Sequence, residues 1–248
     1  MKFKIGFDQS DKKKLFEYWD EITKNNIWSE GKFTREFEEK WSTHNELSTV
    51  SFSSWTGAAE AVLKFYNLEN ETILCPSNTF QATPMVSRIN GCIIKFVDCN
   101  KEDLCISYDD LVLKVKKYNP KAVWVVHIGG HISFEIEKIS SFCKNNNILL
   151  IEDCAHAHGA SFKNKKPGSW GEAGVYSLYA TKTISTGEGG LLVSKNDKLI
   201  EFARSFKNYG KPENVINGKN LRMSEFSAAL GCIQVNRLKD IVEWKNNY

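Results

Sequence analysis

The sequence lacks a hydrophobic run long enough to cross a bilayer. The longest uninterrupted apolar stretch, residues 122–126, has five residues, whereas a transmembrane helix needs about 20. The first residues, MKFKIGFDQSDKKK, contain no apolar core of the kind that a secretory signal requires. We therefore expect a chain with no signal peptide and no membrane partner.

A large excess of charge of one sign is also missing. Lysine and arginine number 33 against 30 acidic residues, which gives a formal net charge of +3. So small an excess gives no reason to expect a nucleic acid or a membrane surface as a partner. No helix-turn-helix segment is evident either. The basic run at residues 12–14 is typical of a solvated helix face.

Paired cysteine motifs are absent, although cysteine itself is not rare. No CxxC pair occurs, and no Cys/His cluster has zinc spacing, so we expect neither a metal site nor a disulfide framework. The seven cysteines lie mostly in apolar, strand-like surroundings: Cys75, Cys92, Cys99, Cys105, Cys143, Cys154 and Cys232. Buried, reduced thiols predict a cytoplasmic protein.

What is present is an ordinary globular composition, with 42% hydrophobic and 25% charged residues over 248 positions. This excludes a disordered tail, a collagen-like repeat and a disulfide-rich miniprotein. Short apolar runs alternate with helical patterns along the chain. The predicted strands are 72–75, 92–97, 122–127, 148–151, 175–179 and 189–194. The predicted helices are 57–66, 81–90, 108–118, 135–146, a long one from about 197, and one from about 224 to the end.

Continuously apolar strands separated by helices are typical of a parallel sheet that is covered on both faces. We therefore predict an α/β fold with an open, mostly parallel central sheet and helices on both faces. In such sheets the ligand binds outside the carboxyl ends of the strands. Several polar residues of interest fall at predicted strand ends.

The first of these is Asp153, which ends the run ILLIED. A carboxylate at the end of a strand serves in metal binding, in a buried ion pair, or as the partner of a cationic heterocycle. By itself it does not decide between these, because an N-cap or a salt bridge is the commoner role.

Lys182 follows a predicted strand and precedes a glycine-rich turn, in the stretch YSLYATKTISTGEGG. Most lysines lie on the surface, but small and hydroxylated neighbours and close backbone approach at the glycines favour a lysine held in a cleft. Such a lysine, with a lowered pKa, is a candidate for Schiff-base chemistry.

The stretch SSWTGAA, residues 53–59, opens a predicted helix with hydroxyls and small side chains. Free N–H groups at a helix N-terminus bind phosphate, although serine and threonine are also ordinary N-caps. Together with Asp153 and Lys182, this stretch describes a pocket for pyridoxal 5'-phosphate (PLP): a lysine for the aldehyde, an aspartate for the pyridine nitrogen and a helix N-terminus for the phosphate. Phe80 would cover the ring.

Four stretches carry a resemblance to a known family: PSNTFQAT, IEDCAHAHGA, YSLYATKTISTGEGG and GKNLRMSEFSAALG. They are similar to the sugar aminotransferases of the DegT type, which are fold-type I PLP enzymes. The resemblance runs from about Gly31 to the end of the chain. It implies that residues 31–248 form the PLP-binding large domain, that residues 1–30 form an N-terminal helical segment, and that the C-terminal small domain of the family is missing.

The resemblance also implies residue roles. Lys182 would bind PLP covalently and act as the general base, and Asp153 would pair with the pyridine nitrogen. The other implied cofactor contacts are His156 at the 3-oxygen, Phe80 on the ring, Thr56, Gly57 and Ser177 at the phosphate, and Asn220 at the phosphate of the neighbouring subunit. The last role implies a homodimer with shared active sites.

Other polar residues are left with two interpretations. His127 and His131 flank a glycine pair at a strand end that faces the predicted cleft, and substrate contact and a structural role are equally expected. We expect Glu188 near the substrate and His158 in a structural role. Trp55 stands where the family usually has glycine, which puts the backbone of the phosphate-binding turn in question.

The resemblance therefore implies an aminotransferase that moves an amino group, with glutamate as the expected donor, to a nucleotide-linked keto-sugar in polysaccharide or glycan biosynthesis. One alternative is a PLP-dependent sugar dehydratase. Lys182 argues against it, because histidine replaces this lysine in that branch. The other alternative is a truncated, non-catalytic PLP-binding module, which the missing small domain favours.

Overall fold

A computed structural model describes residues 6–214 and 216–247 and shows a mixed α/β fold. The strands are β1 (Ser48–Phe52), β2 (Thr72–Pro76), β3 (Ile93–Val97), β4 (Ala122–Val126), β5 (Leu149–Asp153), β6 (Ala173–Ser177) and β7 (Gly190–Ser194). The helices are α1 (Gln9–Asn25), α2 (Lys32–Asn45), α3 (Trp55–Phe65), α4 (Ala82–Ile89), α5 (Tyr108–Tyr118), α6 (Ile136–Asn145), α7 (Asp197–Phe206) and α8 (Glu225–Asn246).

The strands form one seven-stranded sheet in the order β1-β7-β6-β5-β4-β2-β3. Strands β3, β2, β4, β5 and β6 pair in parallel, and β7 runs antiparallel to both of its neighbours. The prediction of a mostly parallel sheet is confirmed. Because these strands point the same way, the carboxyl ends of β2, β4, β5 and β6 lie at one edge of the sheet.

Helices cover both faces of this sheet, as predicted. On one face α3 and α7 bury a cluster that includes Val62, Trp124 and Leu192. On the other face α2 and α8 pack around Trp41 and Tyr176, and α6 lies further along the sheet. Successive residues of β6 and β7 contribute alternately to the two faces, because side chains alternate along a strand. The sheet is therefore the middle of three layers.

Three elements differ from the sequence pattern, and one of them is α2, which none of the predicted helices covers. The pattern does not predict β1, because its run STVSF is short and interrupted by hydroxyl residues; pairing with β7 makes it a strand. The expectation of a long helix from residue 197 is wrong, since α7 ends at Phe206. Tyr209 and Gly210 then adopt positive φ angles of 61° and 85°, a left-handed conformation that cannot continue a right-handed helix.

The N-terminal helices belong to the same packed body. Helix α1 lies against α8, and Ile22 enters the core that α2 and α8 share. The division at residue 30 stays a prediction. In the residues that the structure describes, no helix combines the length and the apolar character needed to cross a membrane. All seven cysteines are free thiols, and six of them are buried.

Glu225 fixes the start of α2 from the first turn of α8. Its buried carboxylate accepts the amide N–H groups of Gly31, Phe33 and Thr34 at 3.0, 2.8 and 2.8 Å. It also accepts the Thr34 hydroxyl. The first amides of a helix have no partner within the helix, so a side chain distant in sequence caps α2.

We expect Glu225→Gln to lower the free energy of unfolding by about 2–3 kcal/mol, because the new amide group turns a donor toward buried N–H groups. Urea unfolding followed by circular dichroism measures this change. Glu201→Gln, on the exposed face of α7, is the matched control and should change stability by less than about 0.5 kcal/mol. Equal effects of the two variants would contradict the role given to Glu225.

Candidate active site

A cavity of about 430 Å³ opens at the carboxyl edge of the sheet, beside the N-terminus of α3. It brings together six of the eight residues that the sequence analysis assigns to the cofactor: Thr56, Phe80, Asp153, His156, Ser177 and Lys182. A second cavity, of about 700 Å³, adjoins the first. Ala155, His156, Thr181 and Lys182 line both. Lys182 therefore lies between two spaces that a ligand can enter.

Asp153 lies at the end of β5 and is 5% exposed. Its carboxylate accepts the Thr83 hydroxyl at 2.7 Å and the Ala155 amide N–H at 3.0 Å. Burial raises the pKa of Asp153, whereas these two hydrogen bonds and the nearby His156 and Lys182 lower it. The structure thus keeps a carboxylate in a mostly desolvated position, where a further cation would favour its charged form.

Lys182 is held in a tight loop between β6 and β7. Its amide donates to the carbonyl of Tyr179 at 2.9 Å, and the Thr186 amide donates to the carbonyl of Leu178 at 3.0 Å. The Ser185 hydroxyl also donates to Leu178 O, at 3.0 Å. These contacts fix the backbone of the loop, so that the lysine side chain is the part left to reach the cavity.

The amine of Lys182 is half-buried, and burial lowers its pKa. The charge of Asp153 opposes this effect and raises the same pKa. His156, which lines the same cavities, has its own pKa lowered, first by burial and then by the charge of Lys182. The cavity therefore raises the fraction of the neutral amine that attack on a carbonyl requires.

The N-terminus of α3 borders the cavity through Ser54, Trp55 and Thr56. Ser54 caps the helix, and its hydroxyl oxygen accepts the Gly57 amide at 3.1 Å. The first helical amides have no partner within the helix and lie at the positive end of its dipole. A Cβ atom at Gly190 would lie 2.4 Å from the carbonyl oxygen of Ser54, so glycine lets β7 pass this close to the helix.

The bulky Trp55 does not disturb this turn. Its side chain is buried, its indole N–H donates to the carbonyl of Val175 at 3.2 Å, and its ring packs 5.8 Å from that of Trp124. The side chain points into the core between α3 and the sheet. The backbone of the phosphate-binding turn, which Trp55 put in question, therefore starts a regular helix.

Comparison with known proteins identifies the family. The sequence profile of the DegT/DnrJ/EryC1/StrS aminotransferase family matches residues 9–248. The chain belongs to this family. The resemblance stated from the four motifs is confirmed, and so is the fold that it implies.

Two curated relatives in the family are each 31% identical to this chain. One is a GDP-perosamine synthase of Escherichia coli O157:H7, for which the match covers 88% of this chain and 62% of the relative. The other is a UDP-4-amino-4,6-dideoxy-N-acetyl-beta-L-altrosamine transaminase of Campylobacter jejuni, with 96% and 64% covered. Among solved structures, DesI in the presence of its TDP-sugar product has 26% identity and a TM-score of 0.86, over 92% of this chain and 59% of that one. The chain thus spans less than two thirds of the length of each of these three relatives.

Two of the residues assigned from the family motifs do not line the cavity. Gly57 is buried in the first turn of α3, and its amide N–H already donates to the hydroxyl oxygen of Ser54. Asn220 is exposed on the segment between α7 and α8, where it forms an isolated bridge with Asn208. Their roles stay predictions, and contact of Gly57 with a phosphate would have to compete with the Ser54 hydroxyl.

The histidines separate into different environments. Of the two interpretations left open for His127, the structure supports the structural one: it is fully buried, and its Nε2 lies 2.9 Å from the carboxylate of Glu152. His131 lines the second cavity, with its Nε2 3.1 Å from the carbonyl oxygen of Asp103. His158 is buried against Trp41, and burial lowers its pKa to about 3. Glu188 lines the first cavity and is exposed.

Sequence reasoning missed Thr79 and Thr83, which also line the first cavity. Both occur in the motif PSNTFQAT, in which the sequence analysis assigned a role to Phe80 alone. The signal that would have found them is the spacing of four residues around the start of a helix, which places two hydroxyls on one side. Their contact with Asp153, however, depends on the fold.

Proposed function

We propose that this protein is a PLP-dependent aminotransferase that acts on a nucleotide-linked keto-sugar. The observation that carries the proposal is one cavity that unites the amine of Lys182, the carboxylate of Asp153 and the N-terminus of α3. The names of the curated relatives and of DesI, which specify GDP-, UDP- and TDP-linked sugars, support the substrate class. These names differ in the sugar, so the proposal names the substrate class and not one sugar.

The chemistry of the lining residues fits PLP. The buried carboxylate of Asp153 has only partial compensation of its charge and would take the protonated ring nitrogen. The first turn of α3, with the hydroxyls of Ser54 and Thr56, would take the phosphate. Phe80, which is 68% exposed at the rim, would lie on a face of the ring, and Ser177 at the end of β6 would add a hydroxyl.

When bound, PLP supplies a carbonyl that condenses with amines and a ring that stabilises negative charge on the neighbouring carbon. The Nζ atom of Lys182 would hold the cofactor, and as a neutral amine it would take up a proton from the carbon of the amino donor and pass it on to the cofactor. Its lowered pKa increases the fraction of neutral amine near neutral pH. Asp153 would keep the ring nitrogen protonated, and His156 would lie beside the lysine.

Three further assignments belong to this proposal. We propose glutamate as the amino donor. We propose a homodimer with shared sites, since Asn220 is exposed and away from its own cavity, the placement needed to reach a neighbouring subunit. We propose the cytoplasm as the compartment, since seven free thiols are typical of reducing surroundings. The dehydratase alternative has less support, because a lysine occupies the site.

Absorption spectroscopy of the purified protein with PLP tests the proposal. We expect a visible band of covalently bound PLP that glutamate bleaches, and mass spectrometry should then find an amino-sugar after a nucleotide-linked keto-sugar is added. Alanine and aspartate at the same concentration serve as donor controls. A band that no amino acid bleaches would overturn the aminotransferase proposal in favour of a non-catalytic PLP-binding module. Absence of any band would overturn the cofactor assignment.

A further inference from the structure

The carboxylate of Asp153 is hydrogen-bonded at both of its oxygens. Oδ2 accepts the hydroxyl of Thr83 at 2.7 Å, and Oδ1 accepts the amide of Ala155 at 3.0 Å. Thr83 is completely buried, and Asp153 is 5% exposed. Two donors therefore fix the plane of the carboxylate, which has acceptor capacity left and lines the cavity.

Thr83 is itself held by a second hydroxyl. Its Oγ1 lies 3.1 Å from the Oγ1 of Thr79. A hydroxyl has one proton, and Thr83 gives its proton to the ionised Asp153. In the contact between the two threonines Thr79 is therefore the donor, and its hydroxyl also has the carbonyl oxygen of Phe80 as an acceptor at the longer distance of 3.3 Å. The result is a directed chain from Thr79 through Thr83 to Asp153. Thr79 directly precedes Phe80, the aromatic residue at the rim of the same cavity.

We propose that Thr83 is a positioning residue, whose hydroxyl holds the Asp153 carboxylate in the orientation that pairs with the ring nitrogen of PLP. This inference rests on the proposed function. Thr83 acts through Asp153, and Thr79 supports it by fixing the direction in which the Thr83 hydroxyl points. The segment that carries Phe80 and the carboxylate opposite it are thereby linked through two hydrogen bonds.

The energetics of the site agree with this role. Burial raises the pKa of Asp153, and the hydrogen bond from Thr83 is the largest of the effects that lower it. The other titratable groups facing this carboxylate are Cys75 on β2, His156 and Lys182, with Cys154 next to it in the chain. Loss of the Thr83 hydroxyl removes a donor from a buried oxygen, and the ionised form of Asp153 is then less favoured.

The test uses substitutions at position 83 that differ in the hydroxyl. Thr83→Val keeps the shape and removes the hydroxyl, while Thr83→Ala and Thr83→Ser form a second pair that also differ in the hydroxyl. We expect Val and Ala to weaken binding of PLP to the cofactor-free protein about 10-fold, and Ser to stay within about 2-fold of wild type. Thr43→Val, at an exposed position of α2, controls for the loss of a hydroxyl elsewhere.

A second readout needs no cofactor. Carbon-13 NMR of labelled aspartate follows the titration of Asp153 in the cofactor-free protein, with Asp153→Asn to assign the signal. We expect a higher pKa of Asp153 in Thr83→Val and Thr83→Ala than in wild type, and a return toward the wild-type value in Thr83→Ser. A threonine that only fills space would leave the Ala and Ser variants alike.

The outcomes separate this inference from the proposed function. If wild-type protein binds PLP, and the hydroxyl-free variants match it in PLP affinity and in the pKa of Asp153, the positioning role is overturned. If Thr83→Val does not fold, the Ala and Ser pair gives the same decision. If wild-type protein does not bind PLP, the proposed function fails, and the role given to Thr83 fails with it.

Discussion

Lys182→Ala should abolish covalent attachment of PLP and lower transamination by about 10³-fold or more, because one amine both holds the cofactor and moves the proton. The fold should persist, since the loop is fixed by backbone contacts at Tyr179 and Leu178 rather than by the lysine side chain. Borohydride reduction followed by peptide mass spectrometry measures the attachment directly. In wild type we expect the reduced adduct at position 182.

Lys195→Ala is the matched control. Lys195 is exposed just beyond β7, so this substitution removes the same charge at a distance from the cavity. Lys245 is a stricter test of the assignment. It lines the second cavity, and burial lowers its pKa as well. An adduct found at Lys245 in wild type, or one retained by Lys182→Ala, would show that Lys182 is not the attachment site.

Asp153→Asn should leave PLP bound and lower turnover by about 10²-fold or more, because the ring nitrogen loses its anionic partner. The substitution keeps the shape, and the amide oxygen still accepts the Ala155 N–H. The side-chain NH₂ group can donate to the Thr83 hydroxyl, which has acceptor capacity of its own. We therefore expect a large change in kcat at nearly unchanged thermal stability.

The same variant has an effect on Lys182 that does not depend on the cofactor. The charge of Asp153 raises the pKa of Lys182, so its removal should lower that pKa further. The fraction of neutral lysine would rise at a given pH, which NMR of labelled lysine in the cofactor-free protein can follow. Asp197→Asn, exposed in the first turn of α7, is the control. Unchanged turnover in Asp153→Asn would mean that Asp153 has only a structural role.

Much of the fold follows from local sequence. The runs that become β2 to β7 are mostly apolar and are five residues long in the structure. Such runs between helical patterns predict buried parallel strands, since a strand covered on both faces has no polar side. The same reasoning places Asp153 at a strand end and Lys182 just beyond another. Chemistry-bearing residues near strand ends were therefore predictable as members of one site.

The limits of that reasoning are equally specific. His127 comes directly after β4, as Asp153 ends β5, and the local pattern does not distinguish them. The buried Glu152 makes the difference, because its carboxylate is hydrogen-bonded to His127 and also accepts the amide N–H groups of Gly168 and Trp170. The end of α7 is likewise set by left-handed residues beyond it rather than by its own apolar periodicity.

The sequence by itself determined most of the strands and helices beyond residue 55, the α/β class, the family and six of the cofactor residues that line the cavity. Only the tertiary structure decided which partner each polar group has. The hydrogen bond from Thr83 to Asp153 joins residues 70 positions apart, and the contacts of Glu225 with α2 span more than 190. Such contacts depend on how β2 and β5 are placed in the sheet and how α8 returns to α2. Local propensity carries no information about either, because it is a property of neighbouring residues alone.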